Sequence, residues 1–416
     1  MLTGRRFRVE FTGEQAQFAQ RIGDGCRAVW NTGLQQRREY RRRGAWMNYR
    51  EQAHELAEAK AEHSWLAQVP GHCLQQTLMD LDKACRTHGT FKVRWRSGRR
   101  WVPSFRFPEG NKMVVELLNR LHARVKLPKL GWVRFRLSRP LDDVVIRSAT
   151  VSRDGQQWFV SFVVEDGKAV PETHARPGSA VGVDRGVVVA IATSDGALLD
   201  REFSTAGERR RALRLQRRLS RAGKHSRNRV KTRAALARIR GRERRRRQDF
   251  CVQSAHQLAQ HNAVVVLEAL KTKQMTKSAK GTIEAPGHNV RAKAGLNRAI
   301  LSKGWHRFNL ALDSAARYSG TLVMKVPAQY TSQRCSACGQ VNPNSRESQA
   351  VFRCLYCPHV EHADVNAARN ILAAGLAVTA CEDNARPAGR AASAKQEPAG
   401  NREELLPQPP TAATAA

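Results

Sequence analysis

Two apolar stretches, residues 180–193 and 263–269, decide the fold of this chain. The first reads Ala-Val-Gly-Val-Asp-Arg-Gly-Val-Val-Val-Ala-Ile-Ala-Thr, and the second reads Ala-Val-Val-Val-Leu-Glu-Ala. Short, nearly continuous apolar runs that are rich in β-branched residues are typical of buried strands. The first run is interrupted at Asp184 and predicts a pair of strands. The second predicts another buried strand, which ends at Glu268.

A third acid, Asp364, opens a helix that the sequence pattern predicts over residues 363–380. Taken singly, the acids have ordinary explanations: Asp184 as a turn residue, Glu268 as a strand-end charge and Asp364 as a helix N-cap. Burying a carboxylate within an apolar run costs several kcal/mol, however, unless it binds a partner or a metal. The three together are better explained by one divalent-metal site, in which paired Mg²⁺ ions activate water and stabilise the leaving oxygen in phosphodiester hydrolysis.

The charge balance points to a polyanionic partner. The chain has 416 residues, with 72 Lys+Arg against 36 Asp+Glu and a formal net charge of +36. Such an excess indicates nucleic acid, whereas an anionic membrane would call for one basic amphipathic helix. The apolar stretches are too short to span a bilayer, and the start lacks the apolar segment of a signal peptide. We therefore expect a cytoplasmic, nucleic-acid-binding protein of about two to four domains.

The basic residues are densest in residues 201–250, which hold 20 Lys+Arg against 4 Asp+Glu. Leucine and isoleucine at helical spacing predict two long helices, hinged at residues 222–226. A charge run is more often a solvated face than a specific site. The positive charges of residues 201–250 would repel one another unless phosphates neutralised them. We therefore expect a basic helical hairpin that faces nucleic acid.

Four of the nine cysteines are clustered as Cys335-x2-Cys338, fifteen further residues, and Cys354-x2-Cys357. Paired Cys-x-x-Cys knuckles predict a closed tetrahedral zinc site with a structural role, with chance or redox cysteines as the alternative. His359 and His362 are near enough in sequence to be alternative ligands. The remaining five cysteines are expected to be small buried hydrophobic residues: Cys26, Cys73, Cys85, Cys251 and Cys381.

The first 170 residues contain a strand, a helical block and then several strands. Residues 5–11 alternate polar and apolar side chains, residues 12–15 form a capping box, and helical spacing continues to about residue 85. From residue 91 to about 165 apolar and polar residues alternate with a period of two, as in strands, and the Asp-Gly at 154–155 indicates a hairpin. This order predicts a small β-barrel that carries a helical insertion.

The other predicted segments follow in chain order. They are a linker over 171–178, a mobile polar loop over 271–295, an amphipathic helix over 297–319, a strand over 321–326 and a disordered end from about 382.

Five motifs give the chain a family resemblance, in order and in spacing. They are Val-Gly-Val-Asp-Arg-Gly at 181–186, Leu-Glu-Ala-Leu-Lys at 267–271, Asn-Arg-x5-Gly-Trp at 297–305, Tyr-Thr-Ser-Gln-Arg-Cys-Ser-Ala-Cys-Gly at 330–339 and His-Ala-Asp-Val-Asn-Ala-Ala-Arg-Asn at 362–370. Together they resemble the TnpB (OrfB-type) family of insertion-sequence proteins, which are similar to the ancestors of type V CRISPR effectors. The resemblance is looser in the N-terminal half. One departure is Ala269, where family members often carry a polar residue.

The resemblance implies an α/β fold plus a β-barrel: an RNase H-like (RuvC) nuclease domain with an inserted zinc ribbon, preceded by a wedge barrel with a helical recognition insert. It implies that Asp184, Glu268 and Asp364 form the catalytic, magnesium-binding triad, and that the four clustered cysteines hold zinc. It also implies a bacterial protein, one monomer per transposon-encoded guide RNA, that cuts double-stranded DNA beside a short motif.

The expected segments are 1–11 and 91–170 for the barrel, 12–90 for the helical insert, 178–330 and 359–381 for the nuclease domain with the basic hairpin at 201–250, 331–358 for the zinc ribbon, and 382–416 for a disordered tail. Two other functions are weighed against the guided nuclease. A non-cutting DNA- or RNA-binding regulator is disfavoured because all three acids are present. The other is a transposase that cuts and joins DNA itself, and related metal-carboxylate sites do support strand transfer. Its tyrosine-based form is disfavoured because the sequence shows no His pair with a downstream nucleophilic Tyr.

Overall fold

A computed structural model describes residues 1–98 and 101–384, the last six of them by backbone alone. Its secondary structure divides into an N-terminal antiparallel sheet with helices, a second mixed sheet with helices, and a small cysteine-rich hairpin. None of the described helices is both long and apolar enough to cross a membrane.

The N-terminal sheet has seven antiparallel strands in the order β2-β6-β7-β1-β5-β4-β3. Their bounds are β1 (Leu2–Glu10), β2 (Ser104–Phe107), β3 (Val115–Asn119), β4 (His122–Leu127), β5 (Gly131–Arg136), β6 (Val145–Asp154) and β7 (Gln157–Glu165). Alternate residues of β7 are buried, as the period of two predicts. The predicted hairpin is present, with Gly155 at a φ of 63° in its turn. Among the described residues the edge strands β2 and β3 are not hydrogen-bonded to each other, so the sheet is open in its pairing.

The predicted helical block between β1 and β2 consists of four helices: α1 (Gly13–Arg42), α2 (Tyr49–Glu62), α3 (Ser64–Ala67) and α4 (Gly71–His88). The predicted capping box is confirmed, since the Thr12 hydroxyl accepts from the Gln15 amide and the Gln15 side chain accepts from the Thr12 amide. Leucines of α4 pack with Ile22 and Leu34 of α1 in one core that continues into the sheet.

The second sheet has the order β10-β9-β8-β11-β12. Its strands are β8 (Ala180–Asp184), β9 (Ile191–Thr193), β10 (Leu198–Leu199), β11 (Val264–Glu268) and β12 (Leu322–Val326). β8, β11 and β12 are parallel, whereas β9 and β10 are antiparallel additions. The strand pair over 180–193 and the strands near 263 and 321 are thus confirmed.

The helices of this half are α5 (Ala206–Arg221), α6 (Arg227–His261), α7 (Thr272–Met275), α8 (Val290–Lys303), α9 (Trp305–Ser319) and α10 (Ala363–Asn384). α10 packs directly on β8, and Gly182 permits this contact because a Cβ there would lie 2.0 Å from the carbonyl oxygen of Ala368. Two short strands, β13 (Val351–Arg353) and β14 (Val360–His362), form the cysteine-rich hairpin.

Three predictions about segments were wrong in part. The single helix over 297–319 is two helices, because Gly304 adopts a φ of 80° between them. The loop over 271–295 contains α7 and the first turns of α8. The last helix continues to Asn384, so residues 382–384 of the predicted tail are helical in backbone, and 385–416 lie outside the described residues.

The hinge between the two basic helices is confirmed, with Ser226 as the N-cap of α6. Four of the five scattered cysteines are buried as predicted: Cys26, Cys73, Cys85 and Cys251. The side chain of Cys381 lies outside the described part of the chain.

Candidate active site

Three carboxylates meet where the second sheet ends. Asp184 is the last residue of β8 and Glu268 the last residue of β11. Because these strands are parallel and Val183 is paired with Leu267, both acids lie at the same edge of the sheet. Asp364 stands in the first turn of α10, which packs on β8. The loop after Asp184 approaches it, since a Cβ built on Gly186 would lie 3.5 Å from Oδ2 of Asp364.

Burial and charge repulsion perturb the acids at this edge. Glu268 and Asp364 are buried, and Asp184 is partly exposed. Burial, then the charges of Glu268 and Asp364, raises the pKa of Asp184 to about 7. Burial also raises the pKa of Glu268, although the Thr331 hydroxyl and the Arg185 charge act in the opposite direction. Oxygen donors that repel one another in this way suit a hard divalent cation such as Mg²⁺.

Two arginines that the sequence did not single out contact the acidic edge. Nη2 of Arg346 lies 3.0 Å from Oδ1 of Asp364. Arg185 is buried, donates from Nη1 to Oδ1 of Asn309 at 2.7 Å, and donates from Nη2 to the backbone carbonyl of Glu268. Their positive charges offset part of the carboxylate repulsion.

The four clustered cysteines converge as predicted. Their sulfur atoms all lie within 4.8 Å of one another, with 3.8 Å between Cys335 and Cys357 and 3.6 Å between Cys338 and Cys354. Sulfur atoms bound to one tetrahedral zinc at about 2.3 Å would be separated by about 3.8 Å, so the four thiols fit that ion. The Tyr356 amide donates to Sγ of Cys354 at 3.4 Å and lowers the pKa of that thiol to about 7.

Neither histidine belongs to the sulfur cluster. Nε2 of His359 lies 3.2 Å from the hydroxyl of Ser336, and Nδ1 of His362 accepts from the amide of Asp364 at 3.3 Å. Within the described residues, the cysteines are the one group of His, Cys, Asp or Glu side chains whose ligand atoms converge this closely. The three carboxylates are therefore spaced more widely than the thiols.

The predicted basic hairpin is formed by α5 and α6, and it keeps part of its charge unpaired. Arg242 and Arg246 bind Glu208, and Arg244 binds Asp154 at the β6–β7 turn. α5 buries none of its residues. Arg210, Arg214 and Arg217 share an exposed groove on α5, and their guanidinium groups make no hydrogen bond or ion pair with other described residues. Such free guanidinium groups are suited to phosphate contacts.

Three family models match parts of the chain. They are described as "Probable transposase" over residues 161–279, "Helix-turn-helix domain" over 1–45 and "Cas12f1-like, TNB domain" over 305–371. The segment matched by the helix-turn-helix model, 1–45, contains one strand, β1, followed by a single long helix, α1.

Among solved structures, the fold is similar to that in the cryo-EM structure of a Cas12f1–sgRNA–target DNA complex, with a TM-score of 0.55 and 15% sequence identity. The alignment covers 87% of this chain and 83% of that one. At this identity the likeness supports a common mixed α/β fold.

Two relatives align over nearly the whole chain. InsQ of Escherichia coli (strain K12), named as a candidate RNA-guided DNA endonuclease, is 37% identical over 94% of this chain and 96% of its own length. A Streptomyces pristinaespiralis protein, also named as a candidate RNA-guided DNA endonuclease, is 31% identical over 95% of this chain and 96% of its own. With these relatives and the transposase family model, the chain belongs to the OrfB (TnpB-type) family of insertion-sequence proteins.

Proposed function

We propose that this protein is a transposon-encoded, RNA-guided DNA endonuclease that cuts phosphodiester bonds with Asp184, Glu268 and Asp364. The observation that carries the proposal is the meeting of these three acids at one sheet edge, in a family whose aligned relatives are named for this activity. The net charge of +36 and the free arginines of α5 supply the surface that a guide RNA and a double-stranded target require.

The three carboxylates would hold catalytic Mg²⁺. Such ions, when bound, supply an activated water and stabilise the charge on the leaving oxygen. The chain's own contribution is positional. β8 and β11 fix two carboxylates on a rigid sheet, and α10, which packs on that sheet, brings the third. Arg346, whose Nη2 lies 3.0 Å from Oδ1 of Asp364, would place a positive charge beside a phosphate of a strand bound at this edge.

We further propose the family architecture for the chain. The seven-stranded sheet, 1–11 and 91–170, would be the wedge barrel, and α1–α4, within 12–90, its recognition insert. The second sheet and its helices, 178–330 and 359–381, would be the RuvC-like nuclease domain with the basic hairpin at 201–250. The cysteine hairpin, 331–358, would be a structural zinc ribbon, and 382–416 a tail outside the folded domains.

One protein per guide RNA would act on DNA at the bacterial nucleoid. In RNA-guided nucleases base pairing selects the sequence, while the protein contacts the backbone and a short adjacent motif, and we propose the same division here.

The test is cleavage of a plasmid by the protein loaded with its guide RNA, in the presence of Mg²⁺ and after its removal. Asp184→Asn, Glu268→Gln and Asp364→Asn should each abolish cutting of the matched plasmid while leaving its binding within about threefold, because phosphate contacts come from Lys and Arg. Asp313→Asn, an exposed acid on α9, is the matched control and should cut normally. Mg²⁺-dependent cutting by all three variants would refute the site. Strand joining instead of cutting would favour a transposase.

A further inference from the structure

Two buried asparagines of α10 hold the first zinc knuckle, which is the segment around Cys335 and Cys338. Asn366 donates to the carbonyl of Arg334 at 2.8 Å and accepts from the amide of Ser336 at 2.9 Å. Asn370, one turn later, donates to the carbonyls of Arg334 and Thr331 at 2.7 and 2.9 Å. Buried amides with so many partners hold the attached backbone firmly. The chain on both sides of Cys335 is thus fixed to the helix that carries Asp364.

The same backbone segment reaches the acidic edge through Thr331. This buried threonine donates its hydroxyl hydrogen to Oε1 of Glu268, 63 residues away in sequence. Among the described residues, it is the one side chain that hydrogen-bonds to the Glu268 carboxylate. The preceding residue, Tyr330, has a φ of 63°, a conformation that a bulky residue adopts when its surroundings impose it.

The orientation of Glu268 therefore depends on a residue of the cysteine-rich segment and not on its own sheet alone. With Oε1 held by the hydroxyl, Oε2 accepts no hydrogen bond from the described residues and would be available to a cation. A hydrogen bond to an ionised carboxylate is short and directional, and the β-branched threonine has few rotamers in which to make it.

We propose that Thr331 is a positioning residue for Glu268, and that Asn366 and Asn370 make this contact depend on the folded zinc knuckle. The proposal rests on the proposed function, in which Glu268 binds the catalytic cation. Zinc would then control divalent-cation binding at the acids, although no cysteine contacts them. Outer residues of this kind typically alter metal affinity by about 10- to 100-fold.

The test is the affinity of the zinc-loaded full chain for Mn²⁺, a paramagnetic substitute for Mg²⁺, measured by electron paramagnetic resonance. Thr331→Val keeps the shape but removes the hydroxyl, and should weaken Mn²⁺ binding at least about tenfold with zinc content unchanged. Thr331→Ser keeps the hydroxyl and should remain within about threefold of the wild type. Thr321→Val is the matched control, because Thr321 is about as buried but donates to the backbone carbonyls of Ala259 and Asn262 at the end of α6.

A second variant covers the case in which Thr331→Val does not fold. Asn370→Ala leaves the hydroxyl in place but frees its backbone, and should also weaken Mn²⁺ binding. Wild-type affinity in either folded variant, or equal weakening by Thr331→Ser and Thr331→Val, would overturn the proposal. If the wild type and Glu268→Gln bind Mn²⁺ equally, the cation site itself, and with it the proposed function, is wrong.

Discussion

Replacing Asp184 by asparagine should stabilise the metal-free protein while abolishing cleavage. Burial, together with the charges of Glu268 and Asp364, raises the pKa of Asp184 from 3.8 to about 7. The folded state therefore holds this proton more tightly than the unfolded state, and the wild type loses stability as the pH rises from about 4 to 7. A pKa difference of this size corresponds to about 4 kcal/mol in the free energy of unfolding. Because Asp184 is partly exposed, solvent screens part of this repulsion. We therefore expect the substitution to stabilise the folded state by about 2 kcal/mol or more.

The assay is thermal unfolding in Mg²⁺-free buffer from pH 5 to pH 8. At pH 8, Asp184→Asn should raise the melting temperature of the part of the chain that contains the second sheet by at least about 4 °C, and the gain should shrink as the pH falls. Asp313→Asn removes the same charge from an exposed position and should give no such pH-dependent gain. A variant no more stable than the wild type at pH 8, or equally stabilised at pH 5, would refute the electrostatic reasoning.

Three further predictions concern the surrounding charges and the cysteine cluster. Arg346→Gln leaves Asp364 buried without its ion pair and should lower the stability of the metal-free protein by about 1–3 kcal/mol; an unchanged melting temperature would contradict this. Cys354→Ser should reduce bound zinc, measured by mass spectrometry of the metal, together with thermal stability, and full retention of both would argue against a structural ribbon. Replacing Arg210, Arg214 and Arg217 together by Gln should reduce the slope of log RNA affinity against log salt concentration by about two to three. An unchanged slope would indicate that these arginines form a solvated face.

The metal-binding candidates could be found from the sequence because each is marked locally. Asp184 and Glu268 end valine-rich strands, and the spacing of the Cys-x-x-Cys pairs is itself a geometric requirement for one ion. Parallel pairing then brings the two strand ends together without further information.

The contacts around the acids could not be found in this way, since they join distant segments. Thr331 lies 63 residues from Glu268, and Arg346 is one of 72 basic residues, with nothing in its neighbours to distinguish it. The division of residues 290–319 into α8 and α9 depends on the positive φ of Gly304, which a continuous amphipathic pattern conceals. The strand order of the first sheet likewise follows from long-range pairing that local periodicity does not encode.

The most direct test of RNA guidance is to purify the protein from its host and sequence the RNA that accompanies it. We expect one abundant species that matches DNA beside the gene and ends in a short variable segment. A plasmid complementary to that segment should then be cut in Mg²⁺ by the wild type and not by Asp184→Asn. A mixture of ribosomal and messenger fragments would mean that the +36 charge binds RNA indiscriminately, and would contradict guided cleavage.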